Sequence, residues 1–180
     1  MNEKVGGWKT KNSTCVYENP WIKISHEEVI TPKGTDGIYG VVHFKNTAIG
    51  VVPIDAEGNT WLVRQSRYTL NQFTWEIPEG GCPQGESPLA AAQRELEEEV
   101  GLQARAWQEL MTLHLSNSVC DELAIVYVAR DLFAGVQQLE DTEDIECKKL
   151  PLLEAIDMVK RGEITDAISV AALLRVALDL

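Results

Sequence analysis

Three glutamates in one short segment of the sequence have the spacing of a cation site. In "RELEEEV", residues 94–100, Glu95, Glu98 and Glu99 are separated by three and four positions. These positions share one face of a helix, so their carboxylates would lie close together, whereas Glu97 would point elsewhere. Such crowding is unfavourable unless a positive charge lies among them, and hard divalent cations such as Mg²⁺ take oxygen ligands. The spacing predicts a divalent-cation site, and a solvated acidic helix face is the alternative.

Helix-capping signals bound the segment that carries these acids. Ser87 and Pro88 suit the N-cap and the first helical position, and Gly101 suits the position that follows the last turn. The sequence therefore predicts a helix between them. The apolar residues at helical spacing, which we expect to face the core, are Leu89, Ala92, Leu96 and Val100.

The rest of the chain alternates between strand and helix patterns. Residues 1–45 read as strands joined by turns at Pro32–Gly34 and Asp36–Gly37. Two further strands are predicted at Ala48–Ile54 and Thr60–Gln65, and a short strand broken by Pro78 precedes the acidic helix. Strands near 104–114 and 123–130 and two helices within 151–162 and 164–180 follow, the last of them apolar nearly all round and so expected to be buried. These patterns predict an α+β protein with an N-terminal antiparallel β lobe at 1–45 and a main domain at 46–180.

Composition narrows the function classes. The 180 residues carry a formal net charge of −12, which would repel a nucleic-acid polymer. No apolar run reaches the ~18 residues of a membrane span, and the start of the chain lacks a signal-peptide pattern. The four cysteines show no metal-binding spacing and are expected to be free thiols. We therefore expect a cytoplasmic protein that binds neither membrane nor nucleic acid.

The acidic helix belongs to a longer pattern. Residues 80–102, "GGCPQGESPLAAAQRELEEEVGL", fill every fixed position of the Nudix box GX5EX7REUXEEXGU, in which U is apolar. The chain thus resembles the Nudix hydrolases. The resemblance implies the Nudix fold, a mixed β-sheet sandwiched between helices. It also implies that Glu95, Glu98 and Glu99 hold Mg²⁺ or Mn²⁺, together with the backbone carbonyl of Glu79.

Two other box residues are expected to brace the site. Glu86 and Arg94 would hold the loop against the helix, and Arg94 can pair with Glu98 at i,i+4 spacing. Glu98 and Glu99 are also expected to be catalytic residues, because the cations that they hold would activate the attacking water.

Residues outside the box resemble one subfamily. Residues 62–81, "LVRQSRYTLNQFTWEIPEGG", are similar to the segment before the box in ADP-ribose pyrophosphatases and nucleoside-diphosphate-sugar hydrolases. The resemblance implies that Arg67 contacts the pyrophosphate, for which a guanidinium is well suited. Arg64 is expected to be structural or a surface charge. Trp21 and Tyr39 match the aromatic residues that sandwich the base, with the N-terminal strands forming a homodimer.

An acidic loop supplies the last expected site residues. "DTEDIE", residues 141–146, resembles the loop that carries a general base and a further metal ligand. The correspondence makes Asp141 the base candidate, with Glu140 as the alternative, and Glu143 the ligand candidate. A solvated loop is the other interpretation.

The expected activity is hydrolysis of the pyrophosphate bond of a nucleoside diphosphate sugar such as ADP-ribose, ADP-glucose or GDP-mannose. Its products are a nucleoside monophosphate and a sugar phosphate. Ser116 stands where ADP-ribose-specific members have a proline, and Phe44 is apolar where some have a basic residue, which favours a broader sugar range. The alternatives are hydrolysis of a dinucleoside polyphosphate, coenzyme A or NADH, and a non-catalytic nucleotide-sugar sensor.

Overall fold

A computed structural model describes residues 2–139 and 144–180. The chain divides into two compact units, one formed by residues up to Asn46 with His114–Leu123, the other by Thr47–Leu113 with Ala124–Leu180. The expected division at 45/46 assigned the whole of 114–123 to the main domain, whereas the structure groups it with the N-terminal unit. No helix among the described residues is both long and apolar enough to cross a membrane.

The first unit is a four-stranded antiparallel sheet in chain order. Its strands are β1 (Asn2–Glu3), β2 (Lys9–Glu18), β3 (Ile22–Ile30) and β4 (Asp36–Phe44). Thr31 and Thr35 close the turn between β3 and β4 through a backbone hydrogen bond of 2.8 Å. The predicted second turn at Asp36–Gly37 is wrong, because these residues begin β4 and pair with Ile30 and Val29.

The second unit contains two sheets. One has the order β8-β5-β10-β9 and the other the order β11-β6-β7. The strands are β5 (Thr47–Pro53), β6 (Asn59–Arg67), β7 (Gln72–Glu76), β8 (Glu79–Cys82), β9 (Leu102–His114), β10 (Leu123–Ala134) and β11 (Glu146–Pro151). β5 runs parallel to β10 and antiparallel to β8. The predicted break at Pro78 is confirmed, since Pro78 lies between β7 and β8.

Three helices pack on these sheets. They are α1 (Pro88–Val100), α2 (Leu152–Lys160) and α3 (Ala167–Ala177). α1 packs on β5 and β8, α3 packs on β5, and α2 packs on β6, β11 and α3. The mixed sheets with helices against them confirm the predicted fold class.

The core lies between α1 and the β5–β10 sheet. It is formed by Ile49, Val51, Cys82, Ala91, Ala92, Leu96, Tyr127 and Ala129. The predicted core positions Ala92 and Leu96 are buried there and Val100 packs against them, but Leu89 is 38% exposed. Leu89 lies in the first turn of α1, and the buried residues of the helix begin at Ala91.

The last helix buries only one face. Ile168, Ala172, Leu173 and Val176 are buried, whereas Leu174 and Leu178 are exposed. The prediction of full burial was therefore wrong, because α3 buries only the side that packs on β5 and α2.

Candidate active site

The predicted caps set the ends of α1. Ser87 Oγ accepts a hydrogen bond from the backbone N–H of Ala90 at 3.2 Å, and Pro88 is the first helical residue. Gly101 ends the helix with a φ of 71°, a left-handed conformation that favours glycine, and its N–H donates to the carbonyl of Glu97. The caps therefore fix where the three acidic positions lie on the helix.

Gly80 makes room for the first of these acids. A Cβ at position 80 would lie 2.0 Å from Cδ of Glu95 and 2.1 Å from its Oε1. Glu95 is accordingly buried against the backbone of β8. The box requires glycine here because the carboxylate occupies the space that a side chain would need.

Arg94 ties the box together. Its Nε and Nη2 donate to the Glu86 carboxylate at 3.2 and 3.1 Å, and Nη2 also donates to the carbonyl of Gly81 at 2.8 Å. Its Nη1 donates to Glu95 at 2.7 Å and to Glu98 at 2.9 Å. The hydrogen bonds with Glu86, followed by the charge of Glu95 and the hydrogen bonds to Glu98 and Glu95, raise the pKa of Arg94 against the opposing effect of burial. The predicted bracing by Glu86 and Arg94 is present in the structure.

Glu99 lies deeper and is tied to β8. Glu99 is 1% exposed, and its Oε2 accepts a hydrogen bond from the backbone N–H of Glu79 at 2.9 Å. The side chain of Glu79 accepts from Ser169 Oγ at 2.7 Å. Burial, and then the charge of Asp166, raises the pKa of the Glu79 carboxyl well above its usual range. Residues from β8, α1 and α3 thus meet at this point.

The carboxylates on α1 are the type of donor that a hard divalent cation takes. Glu95 Oε1 and Glu98 Oε2 already converge on one positive centre, Nη1 of Arg94, and Glu99 lies on the same helical turn. Within residues 2–139 and 144–180, no three His, Cys, Asp or Glu side chains are grouped closely enough to hold a metal ion. In the structure, two of the predicted ligands, Glu95 and Glu98, accept hydrogen bonds from the Arg94 guanidinium. The third, Glu99, accepts a hydrogen bond from the backbone N–H of Glu79.

The predicted acidic loop lies outside the described residues. Glu140, Asp141 and Glu143 fall within 140–143. The segment that leads to them contacts the end of α1, where the N–H of Gln138 donates to the carbonyl of Glu98 at 3.0 Å. The amide of Gln137 also donates to the carbonyl of Glu99 at 2.7 Å.

Arg67 is held by a buried carboxylate that the sequence reasoning missed. Glu76, which is 2% exposed, accepts from Nε of Arg67 at 2.9 and 3.1 Å and also from Nη2. Thr74 Oγ1 donates to the same carboxylate at 2.5 Å. The hydrogen bond to Glu76 raises the pKa of Arg67, which keeps the guanidinium charged. The position of the Arg67 guanidinium therefore depends on β7.

A cavity of about 330 Å³ adjoins this pair. Arg67, Thr74 and Glu76 line it together with Thr165 and Asp166, which precede α3. Polar and charged side chains therefore make up most of the lining of this cavity.

Arg64 has the surface role that was expected. It pairs with Glu146 at 3.3 Å and lies over the ring of Phe73 at 4.7 Å from the centroid. Its guanidinium therefore bridges β6 to the neighbouring strands β7 and β11.

The two predicted base-binding aromatics have different surroundings in the first unit. Trp21 is 67% exposed in the turn between β2 and β3, where its backbone N–H donates to Asn19 Oδ1. Tyr39 lies on β4 with its ring 5.8 Å from that of Trp8, and its hydroxyl donates to the carbonyl of Ser118 at 2.6 Å. Among the described residues of this chain, the aromatic partner of Tyr39 is Trp8 and not Trp21.

Comparison with known proteins agrees with this geometry. Residues 44–173 match the model of the NUDIX domain, and residues 8–42 match that of the nucleoside diphosphate sugar hydrolase N-terminal domain. The chain is 34% identical over 173 residues to an ADP-ribose pyrophosphatase of Mycobacterium tuberculosis, covering 94% of this chain and 83% of that protein. It is 30% identical to the methanol dehydrogenase activator of Bacillus methanolicus, covering 91% of this chain and 89% of the relative.

A solved structure has the same fold. The crystal structure of an ADP compounds hydrolase superposes with a TM-score of 0.87 at 24% identity, covering 96% of this chain and 94% of that one. The box geometry around Glu95 and Arg94 and the domain match over most of the chain lead to one assignment: this protein belongs to the Nudix family.

Proposed function

We propose that this protein hydrolyses the pyrophosphate bond of nucleoside diphosphate sugars in a reaction that depends on a divalent cation. The observation that carries the proposal is the cluster on α1, in which Gly80 leaves space for Glu95 while Arg94 holds Glu95 and Glu98 together. A helix that only faced solvent would have no need to bury Glu95 and Glu99 against a strand.

The N-terminal unit supports the substrate class. Residues 8–42 match a domain named for nucleoside diphosphate sugar hydrolases, and the M. tuberculosis relative is named for ADP-ribose. Ser116 and Phe44 depart from the pattern of ADP-ribose-specific members, which favours a range of nucleotide sugars. The expected products are a nucleoside monophosphate and a sugar phosphate.

The residues that would hold Mg²⁺ or Mn²⁺ are Glu95, Glu98, Glu99, the carbonyl of Glu79 and Glu143. When bound, the ion supplies positive charge that offsets the charge of the diphosphate and lowers the pKa of water. Arg94 keeps the box carboxylates on one side of α1, and its hydrogen bond to the carbonyl of Gly81 ties α1 to β8.

Arg67 and the acidic loop would complete the reaction. Arg67 binds the diphosphate and stabilises negative charge on its oxygens. Asp141, or Glu140 in its place, accepts the proton of the attacking water, a step typically worth about 10²–10⁴-fold. The hydrogen bond of Gln138 to Glu98 supports this role, since it leads the chain into the loop from the end of α1.

A panel of nucleotide sugars tests the proposal. We expect turnover of at least one of ADP-ribose, ADP-glucose, GDP-mannose and UDP-glucose with Mg²⁺ or Mn²⁺, and its loss with a chelator. Glu98→Gln should remove activity, whereas Glu97→Gln on the other side of α1 should retain it. Binding of these compounds without cleavage under either ion would identify a sensor instead and reject the proposal.

Two further proposals concern the homodimer and the cytoplasmic location of the protein. The N-terminal sheet exposes large apolar side chains, among them Val16, Trp21 and Ile38, which supports a homodimer through this unit. Light scattering coupled to size exclusion would give about 40 kDa for the dimer and 20.0 kDa for the monomer. Four free cysteines support a cytoplasmic location.

A further inference from the structure

The connection between β7 and β8 takes a hydrogen-bond partner from α3. Ile77 and Pro78 form this connection. Pro78 has no N–H to donate, and its carbonyl accepts from the N–H of Val51 at 2.9 Å. Ile77 is fully buried, so its N–H needs an acceptor inside the protein. That acceptor is Oγ of Ser169, at a distance of 3.0 Å.

Ser169 contacts the connection at two points. Its Oγ accepts from the N–H of Ile77 and donates to Oε1 of Glu79 at 2.7 Å. A serine hydroxyl has one donor and two acceptor positions, so one side chain can make both hydrogen bonds at once. Ser169 is itself fully buried, which removes water as a competing partner. The hydroxyl therefore links the two residues on either side of Pro78.

Two features of the fold place Ser169 within reach of this connection. A Cβ at Gly50 of β5 would lie 2.9 Å from Cγ2 of Ile168 and 3.1 Å from Cδ1 of Ile77, so the glycine lets α3 approach the sheet closely. Asp166 caps α3 by accepting from the N–H of Ser169 at 2.8 Å. The cap fixes the first turn of α3, in which Ser169 lies.

The same link reaches the carboxylates on α1 through Glu79. The N–H of Glu79 donates to Oε2 of Glu99 at 2.9 Å. Glu79 is thus held on α3 by its side chain, and it holds Glu99 by its backbone. Because the side chain and the N–H belong to one residue, loss of the hydrogen bond to Ser169 would loosen the N–H that orients Glu99.

We propose that Ser169 is a positioning residue that acts through Glu79 to hold the Glu99 carboxylate in place. The proposal rests on the proposed function, because Glu99 is one of the residues that would hold the cation in that reaction. Groups that orient metal-binding side chains typically change metal affinity or activity by 10- to 100-fold when they are removed. Ser169 would act in this way, through the protein groups that it contacts.

Ser169→Ala removes the hydroxyl and tests the link. We expect the Kd for Mn²⁺ to rise by about tenfold, measured without nucleotide sugar from the free-ion signal in electron paramagnetic resonance. The kcat for the best nucleotide sugar should fall by a similar factor, with KM changed by less than about twofold. An unchanged Kd in Ser169→Ala overturns the proposal.

Thr60→Val is the matched control for loss of a buried hydroxyl. Thr60 on β6 is also fully buried, but its Oγ1 has no hydrogen-bond partner within residues 2–139 and 144–180. Its replacement removes a hydroxyl from the same unit without breaking a link to Glu79, so the Kd for Mn²⁺ should stay the same. A rise equal to that of Ser169→Ala would overturn the proposal.

Val176→Ala separates positioning from a simple loss of stability. Val176 is buried in α3 about two turns from Ser169, so its truncation should lower the Tm and leave the Kd for Mn²⁺ unchanged. An equal rise of the Kd in this variant would show that any weakening of α3 disturbs cation binding, which contradicts a specific role of the hydroxyl.

Amide hydrogen exchange, followed by NMR in the metal-free protein, tests the link without any cation. The N–H of Glu79 should exchange at least about tenfold faster in Ser169→Ala than in the wild type. The N–H of Leu96 in α1 is the reference, because a global loss of stability would raise both rates together. Equal changes at the two amides reject the action of Ser169 through Glu79.

Glu79→Met breaks the same hydrogen bond from its other partner. It also decides the question if Ser169→Ala shows no cooperative thermal transition. We expect the Kd for Mn²⁺ to rise by about tenfold, and the double variant to bind no more weakly than the weaker single variant. Additive losses, or an unchanged Kd in Glu79→Met, would overturn the proposal.

These outcomes are distinct from failure of the proposed function. Turnover of nucleotide sugars together with a Kd for Mn²⁺ that does not depend on Ser169 rejects the positioning role and keeps the hydrolase. Binding of Mn²⁺ that depends on Ser169, without cleavage of any nucleotide sugar, keeps the positioning role and rejects the hydrolase.

Discussion

The carboxylate of Glu95 fills the space that a side chain at position 80 would occupy, so Gly80 and Glu95 form one structural unit. The Cβ of an alanine at 80 would lie 2.0 Å from Cδ of Glu95, far inside contact distance. The glycine at the start of the box and the first glutamate of its helix are thus linked by packing across fifteen positions of sequence. The glycine therefore leaves the Glu95 carboxylate its buried place beside β8.

Gly80→Ala should therefore lower activity more than stability. The added methyl group must push Glu95 aside, and a displacement of about 1 Å at a catalytic site costs about 10²-fold in rate. We expect kcat/KM for the best nucleotide sugar to fall by about this factor while the urea midpoint changes little. Gly40→Ala is the control, because its Cβ would meet nothing within 4 Å. Equal effects of the two substitutions would contradict the packing argument.

The pair formed by Arg67 and Glu76 gives a second prediction. Glu76→Gln would remove the charge that orients the guanidinium, so binding of the diphosphate by Arg67 would weaken. We expect kcat/KM to fall by about 10- to 100-fold in Glu76→Gln, and we expect the double variant with Arg67→Ala to lose little more than Arg67→Ala alone, because the two residues act together. Steady-state kinetics on the single and double variants measure this coupling.

The matched control for this cycle is the exposed pair of Arg64 and Glu146. Both are charged residues on the β11-β6-β7 sheet, and Glu146→Gln should change kcat/KM by less than about twofold, since exposed ion pairs contribute little. Fully additive losses in the Arg67 and Glu76 variants would show that Glu76 does not act through Arg67.

The sequence predicted the box much better than its surroundings. Fixed spacing predicted the caps of α1 and the bracing by Arg94, because these contacts are made within about twenty residues of one another. Glu76 was missed because a glutamate in a strand is usually solvated. Its burial depends on the antiparallel pairing of β6 with β7, which brings Arg67 to it. Trp8 was missed for a similar reason, since its contact with Tyr39 crosses two strand connections.

Burial was the least predictable property. Leu89 and Leu178 belong to apolar patterns, yet both are exposed. A helical period in the sequence identifies the side of a helix that can be buried. How many turns of that side are covered depends on the neighbouring elements, which the helix's own sequence does not specify. The predicted roles of Trp21, Asp141 and Glu143 stay predictions.

Asp55 gives a prediction about acid stability. Burial alone would raise its pKa, but hydrogen bonds from Lys149 and Asn59 outweigh this and lower the pKa below its usual value. A carboxyl whose pKa is lowered in the folded state stabilises it above the unfolded pKa of about 4, and this contribution is lost as the pH falls toward the folded pKa. Asp55→Asn should therefore lower the free energy of unfolding by about 1–3 kcal/mol at pH 7.

The difference between wild type and Asp55→Asn should shrink below about pH 4, because unfolding then lets the wild-type carboxyl take up a proton, which favours the unfolded state. Urea unfolding at pH 7, 5 and 3 measures it. Asp179→Asn, which removes an exposed pair with Arg175, is the control and should change stability by less than about 0.5 kcal/mol. A constant difference across this pH range would show that the charge of Asp55 is not what stabilises the turn.

A divalent cation should stabilise the folded protein through the box carboxylates. A ligand that binds only the folded state adds RT ln(1 + [L]/Kd), about 2.7 kcal/mol at one hundred times Kd. For a chain of this size that corresponds to a rise in Tm of about 5–10 °C. Thermal unfolding with Mg²⁺ or Mn²⁺, against NaCl at equal ionic strength, measures the rise and separates specific binding from general screening of the net charge of −12.

The ion must compete with Arg94 for Glu95 and Glu98, so the rise in Tm should depend on these two carboxylates. The double variant Glu95→Gln, Glu98→Gln should lose the metal-dependent rise, whereas Glu97→Gln should keep it. The metal-dependent difference is the quantity to compare, because each glutamine also relieves repulsion in an acidic protein and shifts the Tm without metal. An equal rise in all three proteins would place the cation elsewhere and leave the cluster on α1 with a structural role only.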